Sequence, residues 1–113
     1  MKRQVVLVIS ERPLLREGLK RLIEGTVAVT VIMAPDQESA RASLVGVTVD
    51  VVVFDKPDTR LDDQVCSLLQ EYQQAKIVLL GWNDDRLVFH SSRLILTATA
   101  GNLIWAIRQK KIS

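Results

Sequence analysis

The apolar positions of this chain follow two rhythms in alternation. Val5-Val6-Leu7-Val8-Ile9 is an unbroken run of branched residues, and such a run bounded by turn signals predicts a buried strand. Ser10-Glu11-Arg12-Pro13 ends it, and Pro13 suits the first turn of a helix, where a missing N–H costs nothing. Leu14, Leu15, Leu19, Leu22 and Ile23 then recur at helical spacing, with Arg16, Glu17, Lys20 and Arg21 on the other face and Gly25 as the stop. Residues 27–34 predict a second strand. Asp36 is placed to cap a second helix that carries Ala40, Ala42, Leu44 and Val45 and closes at Gly46.

The third strand is Asp50-Val51-Val52-Val53-Phe54, followed by Asp55-Lys56-Pro57-Asp58. Asp55 therefore falls at the carboxyl end of a strand, the rim where open α/β sheets bind ligands and do chemistry. A carboxylate there serves as a metal ligand, as a nucleophile or as a cap for the next helix. Residues 61–73 predict a third helix through Leu61, Val65, Leu68, Leu69 and Tyr72. Residues 77–80 predict a fourth strand ended by Gly81, and residues 94–97 a fifth. Thr99 suits the N-cap of a last helix with Leu103, Ile104, Trp105 and Ile107, whose basic end, Arg108, Lys110 and Lys111, matches the helix dipole. Strands alternating with helices predict a parallel sheet covered on both faces, in one domain over residues 1–113.

Composition narrows the class. The chain is 48% apolar and 25% charged, as ordinary soluble domains are. A formal charge of +2 gives no argument for nucleic acid. No apolar run approaches the ~18 residues of a membrane span, and the run from Val5 to Ile9 is too short for a signal peptide, so a cytoplasmic protein is expected. Cys66 is the only cysteine, which excludes an intramolecular disulfide; beside Leu68 and Leu69 it reads as a buried structural thiol. His90 is the only histidine, lacks partners for a zinc site and reads as a loop residue.

Several stretches, in order, resemble one family. They are Ile9-Ser10-Glu11-Arg12-Pro13-Leu14-Leu15-Arg16-Glu17-Gly18-Leu19, the strand from Val49 to Asp55, Ala75 to Leu80 with Asn83-Asp84-Asp85, and Leu103 to Arg108. Together they resemble the receiver domain of bacterial response regulators, of the type that precedes a helix-turn-helix output domain. The resemblance implies a flavodoxin-like five-stranded parallel sheet in the order 2-1-3-4-5. It also implies phosphoryl transfer to an aspartate, helped by Mg²⁺ on neighbouring carboxylates, a hydroxyl donor and a lysine.

Carried over position by position, the resemblance makes Asp55 the candidate phosphoacceptor, with Glu11 and Asp55 the candidate Mg²⁺ ligands. Other positions depart from the pattern. Ser10 and Glu11 stand where two aspartates are expected, Gly81 stands at the hydroxyl position, and Leu96 or Thr97 stands at the lysine position. Pro57 follows Asp55 by two residues, where the family's proline follows by four. These departures predict phosphotransfer that is slow, altered or absent.

The fourth crossover is short, since Gly81 and Ser92 are eleven positions apart. A crossover through a helix needs roughly 10–12 residues at the least. The fourth helix is therefore expected to be shortened or missing, with residues 82–90 as a loop or single helical turn. That leaves Trp82, Leu87, Val88 and Phe89, with Trp105, as an expected apolar interaction surface.

The expected function is two-component signal transduction by a stand-alone atypical receiver that is not an enzyme. It would act as a phosphorylation-independent or weakly phosphorylated interaction module. Its partner would be a histidine kinase, another regulator or a second copy in a homodimer. The alternative is a working single-domain response regulator, phosphorylated on Asp55 with a divalent metal. The chain ends at Ser113 after the last helix, which leaves no room for a DNA-binding domain, so direct nucleic-acid binding is not expected. A small flavodoxin-like enzyme shares the fold alone, and no glycine-rich phosphate loop follows the first strand.

Overall fold

The computed structural model describes residues 3–58, 60, 62–81, 83, 86–89, 94–97 and 100–108. Its elements are β1 (Gln4–Ile9), α1 (Pro13–Thr26), β2 (Val29–Ala34), α2 (Gln37–Ser43), β3 (Val51–Lys56), α3 (Asp63–Glu71), β4 (Lys76–Gly81), β5 (Arg86–Phe89), β6 (Leu94–Thr97) and α4 (Ala100–Arg108).

The branched runs form the middle of the sheet, as their continuous burial requires. Val6, Leu7, Val8, Val51, Val52 and Val53 have no exposed surface. β1 pairs in parallel with β2 on one side and β3 on the other, and β3 pairs in parallel with β4. The parallel part thus has the order 2-1-3-4, an α/β arrangement compatible with the flavodoxin-like expectation. Strand order reverses at β1 and β3, and their carboxyl ends open the crevice where such sheets bind ligands.

Alternate residues of the central strands supply two cores. On one face, Val6, Val8, Val51 and Val53 meet Leu19 and Ile23 of α1 and Leu103, Ile104 and Ile107 of α4. On the other, Leu7, Ile9, Val52 and Phe54 meet Ala40 of α2 and Val65 and Leu68 of α3. Each fully buried Ile or Leu stabilises the fold by about 1.5–3 kcal/mol.

Local chemistry sets the helix ends. Pro13 opens α1. Asp36 caps α2 by accepting from the Ser39 N–H at 2.7 Å, as expected. Gly46 has φ +79°, a backbone conformation that suits glycine, but α2 ends at Ser43, short of the expected Leu44 and Val45, and Val45 is exposed. The Arg41 guanidinium pairs with Glu71, and the Gln37 amide donates to Glu71 at 3.0 Å, so α2 and α3 are tied side by side. At the amino end of the sheet, buried Lys76 donates to the Ile107 carbonyl, and Arg108 donates to the Thr26 carbonyl at 3.1 Å. These bonds anchor the end of α4 to the sheet and to α1. Burial pushes the Lys76 ammonium below its usual pKa.

Three local expectations are corrected. α1 runs on to Thr26, so Gly25 lies inside the helix instead of stopping it; the Thr26 hydroxyl donates back to the Leu22 carbonyl at 2.8 Å. Leu14 is 90% exposed, because it falls to one side of the stripe of Leu15, Leu19, Leu22 and Ile23 that packs on the sheet. Cys66 is exposed, since the buried stripe of α3 runs through Val65 and Leu68.

The far edge differs more. Among the described residues no fifth parallel strand lies beside β4. Instead β5 runs antiparallel to β4, with Val78 opposite Phe89 and Gly81 opposite Arg86. β6 then pairs antiparallel with β5. Residues 82–90, expected as a loop or helical turn, thus contain a strand. β5 takes up four residues of this connection, and its pairing satisfies backbone groups along the edge of β4. Among the described residues no helix stands between β4 and β6, and no helix is long and apolar enough to cross a membrane.

Candidate functional site

Asp55 is the penultimate residue of β3, at the crevice between the carboxyl ends of β1 and β3. Its side chain is 3% exposed. A carboxylate so far from water needs compensation, and this one has it on both oxygens. Arg12 donates from Nε to Oδ2 at 3.0 Å and from Nη2 to Oδ1 at 2.7 Å. The Ser10 hydroxyl donates to Oδ2 at 2.8 Å. The guanidinium fork matches the carboxylate in the two-bond geometry that makes such pairs strong. Hydrogen bonding to Asp55 in turn raises the Arg12 pKa above its usual value.

The chain between β1 and α1 is folded to present these donors. Ser10 is buried and donates its N–H to the Ala34 carbonyl at 3.1 Å. Its hydroxyl accepts the Arg12 N–H at 3.1 Å, a tight turn across two residues. Arg16, one turn into α1, donates to the Ser10 carbonyl at 2.8 Å. Arg12 itself is the N-cap of α1 and makes no side-chain capping bond. A cation there opposes the helix dipole, so the Asp55 pair, and not the helix, accounts for its placement.

Lys56 follows Asp55 as the last residue of β3 and is buried where the chain turns towards α3. Its ammonium donates to Asp62 at 2.7 Å and to the Arg60 carbonyl at 3.0 Å. Asp62 also caps α3, accepting from the Val65 N–H at 3.0 Å. The Lys56 hydrogen bond is the main cause that lowers the Asp62 pKa below the usual carboxylate value. Thus both charged residues at the end of β3 hold the neighbouring loops in place. The Pro57 carbonyl accepts from the Asn83 N–H at 2.8 Å, which joins this loop to the one after β4.

A shallow cleft of about 180 Å³ opens beside Asp55, with Glu11, Arg12, Asp36, Gln37, Lys56 and Gln64 among its lining residues. The structure places Ser10, Glu11, Arg12 and Asp55 together at this end of the sheet. Glu11 is exposed at the cleft and takes no part in the bonds that hold Asp55. Gly81, at the end of β4, is level with Lys56. Leu96 and Thr97 stand elsewhere. They are in β6, three strands from β3, which at the usual strand spacing is roughly 14 Å away. No residue of that strand is adjacent to Asp55, so β6 does not complete this site.

The residues do not fit the Mg²⁺ site that the family resemblance implies. Both Asp55 oxygens are engaged by a guanidinium and a hydroxyl, and the positive charge beside them repels a second cation. Among the described residues no three His, Cys, Asp or Glu side chains are grouped to hold a metal ion.

Of the expected interaction surface, Leu87, Val88 and Phe89 belong to β5, and Trp105 on α4 is 42% exposed. Trp82 and His90 lie outside the described residues, as does the expected cap Thr99.

Arg12 is the functional residue that the sequence reading passes over. Its one signal is a lone cation at the cap of a proline-started helix, where a neutral or acidic capping residue is favoured. Fold and site together define a class: a doubly wound α/β domain with an arginine-neutralised carboxylate at its ligand-binding rim. No family model matches the chain, and neither does any curated protein or solved structure.

Proposed function

We propose that this chain is a receiver-like signalling module that acts by binding a protein partner, without phosphorylation of Asp55. One observation carries the reading. The carboxylate at the phosphoacceptor position is 3% exposed, and both of its oxygens are bonded to Arg12. A nucleophile must present a lone pair to the incoming phosphorus, and this one is turned into the protein against a cation. The hydroxyl and the lysine that the resemblance expects around the transferred group have no counterpart at the matching positions, since Gly81 has no hydroxyl and β6, with Leu96 and Thr97, is three strands distant.

The receiver likeness supplies the other half of the reading. With covalent switching removed, a domain of this shape retains its surfaces, and signalling then rests on which protein those surfaces bind. The end of the sheet at β4, β5 and α4 is the proposed contact face, and exposed Trp105 marks it as a place for an apolar partner or a second copy. A cytosolic two-component protein is the proposed partner class.

Incubation with Mg²⁺ and a small phosphodonor such as acetyl phosphate, followed by intact mass measurement under conditions that preserve acyl phosphates, tests the first half. The chain is expected to keep its unmodified mass. A phosphoryl adduct that disappears in Asp55→Asn would replace this reading with that of a working phosphoreceiver.

A further inference from the structure

The charged side chains are sorted between the two ends of the sheet. At the carboxyl end, the loops after β1, β2 and β3 and the first turns of α2 and α3 carry Glu11, Asp36, Glu38, Asp58, Asp62 and Asp63 beside buried Asp55. Of the cations there, Arg12, Lys56 and Arg60 are paired with carboxylates, and Arg16 donates to the Ser10 carbonyl. At the amino end the balance is reversed. Arg3 is exposed just before β1 and lines the same hollow as Thr26, the last residue of α1. Arg108, the last residue of α4, donates to the Thr26 carbonyl at 3.1 Å and is itself exposed. The two arginines thus converge on the end of α1. Two acids at this end of the sheet are already engaged. Asp50 is half-buried and accepts the Val5 N–H at 2.8 Å, and Glu71 pairs with Arg41. Glu24 lines the hollow with Arg3. In the sequence Lys2 adjoins Arg3, and Lys110 and Lys111 follow shortly after Arg108.

An apolar group stands beside these cations. Trp105 is 42% exposed and lies three residues before Arg108 on α4, a spacing that makes the two neighbours on the helix surface. Tryptophan and arginine are the residue types that most often anchor protein interfaces.

We infer that the amino end of the sheet, with Arg3 and Arg108 around the end of α1 and Trp105 beside them, is a docking surface for an acidic protein partner. The inference rests on the reading of this chain as a partner-binding module and names the chemistry of that partner. Charge and packing set the other occupants aside. A second copy related by a two-fold axis would bring two basic ends together, and like charges across an interface oppose binding. A helix that lies on a membrane needs a broad apolar face turned outward, and Leu103, Ile104 and Ile107 of α4 are all in the core. A continuous phosphate ladder would meet Glu24 in the hollow, whereas carboxylates at separate positions reach the arginines and bypass it.

The test is an NMR titration of the full chain with a synthetic peptide of glutamates around a central pair of leucines. Saturable shifts are expected at the amides of residues 3, 26, 105 and 108, with affinity that falls as NaCl is raised. Arg3→Glu, Arg108→Glu and Trp105→Ala should each weaken binding roughly tenfold. Arg60→Glu makes the same change of net charge at the opposite end of the sheet and should leave the affinity within about twofold of wild type. If Arg108→Glu loosens α4, Arg3→Glu carries the charge test alone. The inference is overturned by a titration without shifts at these amides, or by equal weakening in Arg60→Glu. Tighter binding to duplex DNA or to phosphatidylglycerol vesicles than to the peptide, at equal salt, overturns it as well. Each of these results leaves the reading of Asp55 standing, because the phosphodonor measurement tests that carboxylate independently.

Discussion

Removing Arg12 would leave the carboxylate of Asp55, with its 3% exposed side chain, short of its counter-charge. Stranding a buried acceptor of this kind costs about 1–3 kcal/mol. Arg12 keeps 46% of its own side chain exposed, so the pair spans the boundary between core and solvent. Lys56 and Asp62 divide the work in a similar way one loop further on, with the ammonium buried and the carboxylate facing water. Their pair predicts a pH dependence. Lys56 lowers the Asp62 pKa in the folded state, so the folded protein binds the proton less readily than the unfolded chain does. The stabilisation is thus complete above the unfolded aspartate value of about 4, and it is lost as pH falls through the lower folded value. Denaturant melts at a series of acidic pH values should show this loss in wild type and a shallower loss in Asp62→Asn. An equal slope in the two would assign the acid sensitivity to other groups. At this scale the sequence reading locates Asp55 from strand position alone. It does not find Arg12, because a long flexible side chain reaches across 43 residues of sequence to its partner, and no local pattern encodes that reach.

Elements were legible in proportion to the length of their pattern. β1 and β3 are unbroken branched runs, and α1 repeats its apolar spacing over 14 residues. The errors fall where a pattern is short or where the ends of an element decide. Leu14 lies in the apolar run of α1 but outside its buried stripe, because the helical turn sets it to one side of Leu15, Leu19, Leu22 and Ile23. β5 was missed because three apolar residues behind an arginine carry no period that separates strand from loop. Their pairing is set by the open edge of β4, a tertiary cause. The buried stripes make a direct prediction. Leu68 of α3 has no exposed surface, so Leu68→Ala should cost about 2–5 kcal/mol by chemical denaturation, with the slope of the transition unchanged. Leu14→Ala should stay within about 0.5 kcal/mol of wild type. Similar losses in the two variants would contradict the assignment of the α1 and α3 faces.

For the whole molecule, the strand order does more than any motif to place the site. Because β1 lies between β2 and β3, the loops after β1 and β3 meet at one crevice, and Ser10, Arg12 and Asp55 meet there across the chain. The alternation of strands and helices made a parallel sheet readable in advance, while its order was implied by the family resemblance alone. The antiparallel turn-back at β5 was not readable, and it moves Leu96 and Thr97 three strands from Asp55. A rim closed by its own arginine and unsupported by the far strand is the physical ground on which we propose partner binding instead of phosphoryl chemistry. The most direct measurement is a two-dimensional NMR titration of the wild-type chain with Mg²⁺ and then beryllium fluoride, which mimics a phosphoryl group on aspartate. The account predicts that amide positions around Asp55 and in the loop after β1 stay fixed at millimolar concentrations of both. A saturable shift of those signals, abolished by Asp55→Asn, would contradict it.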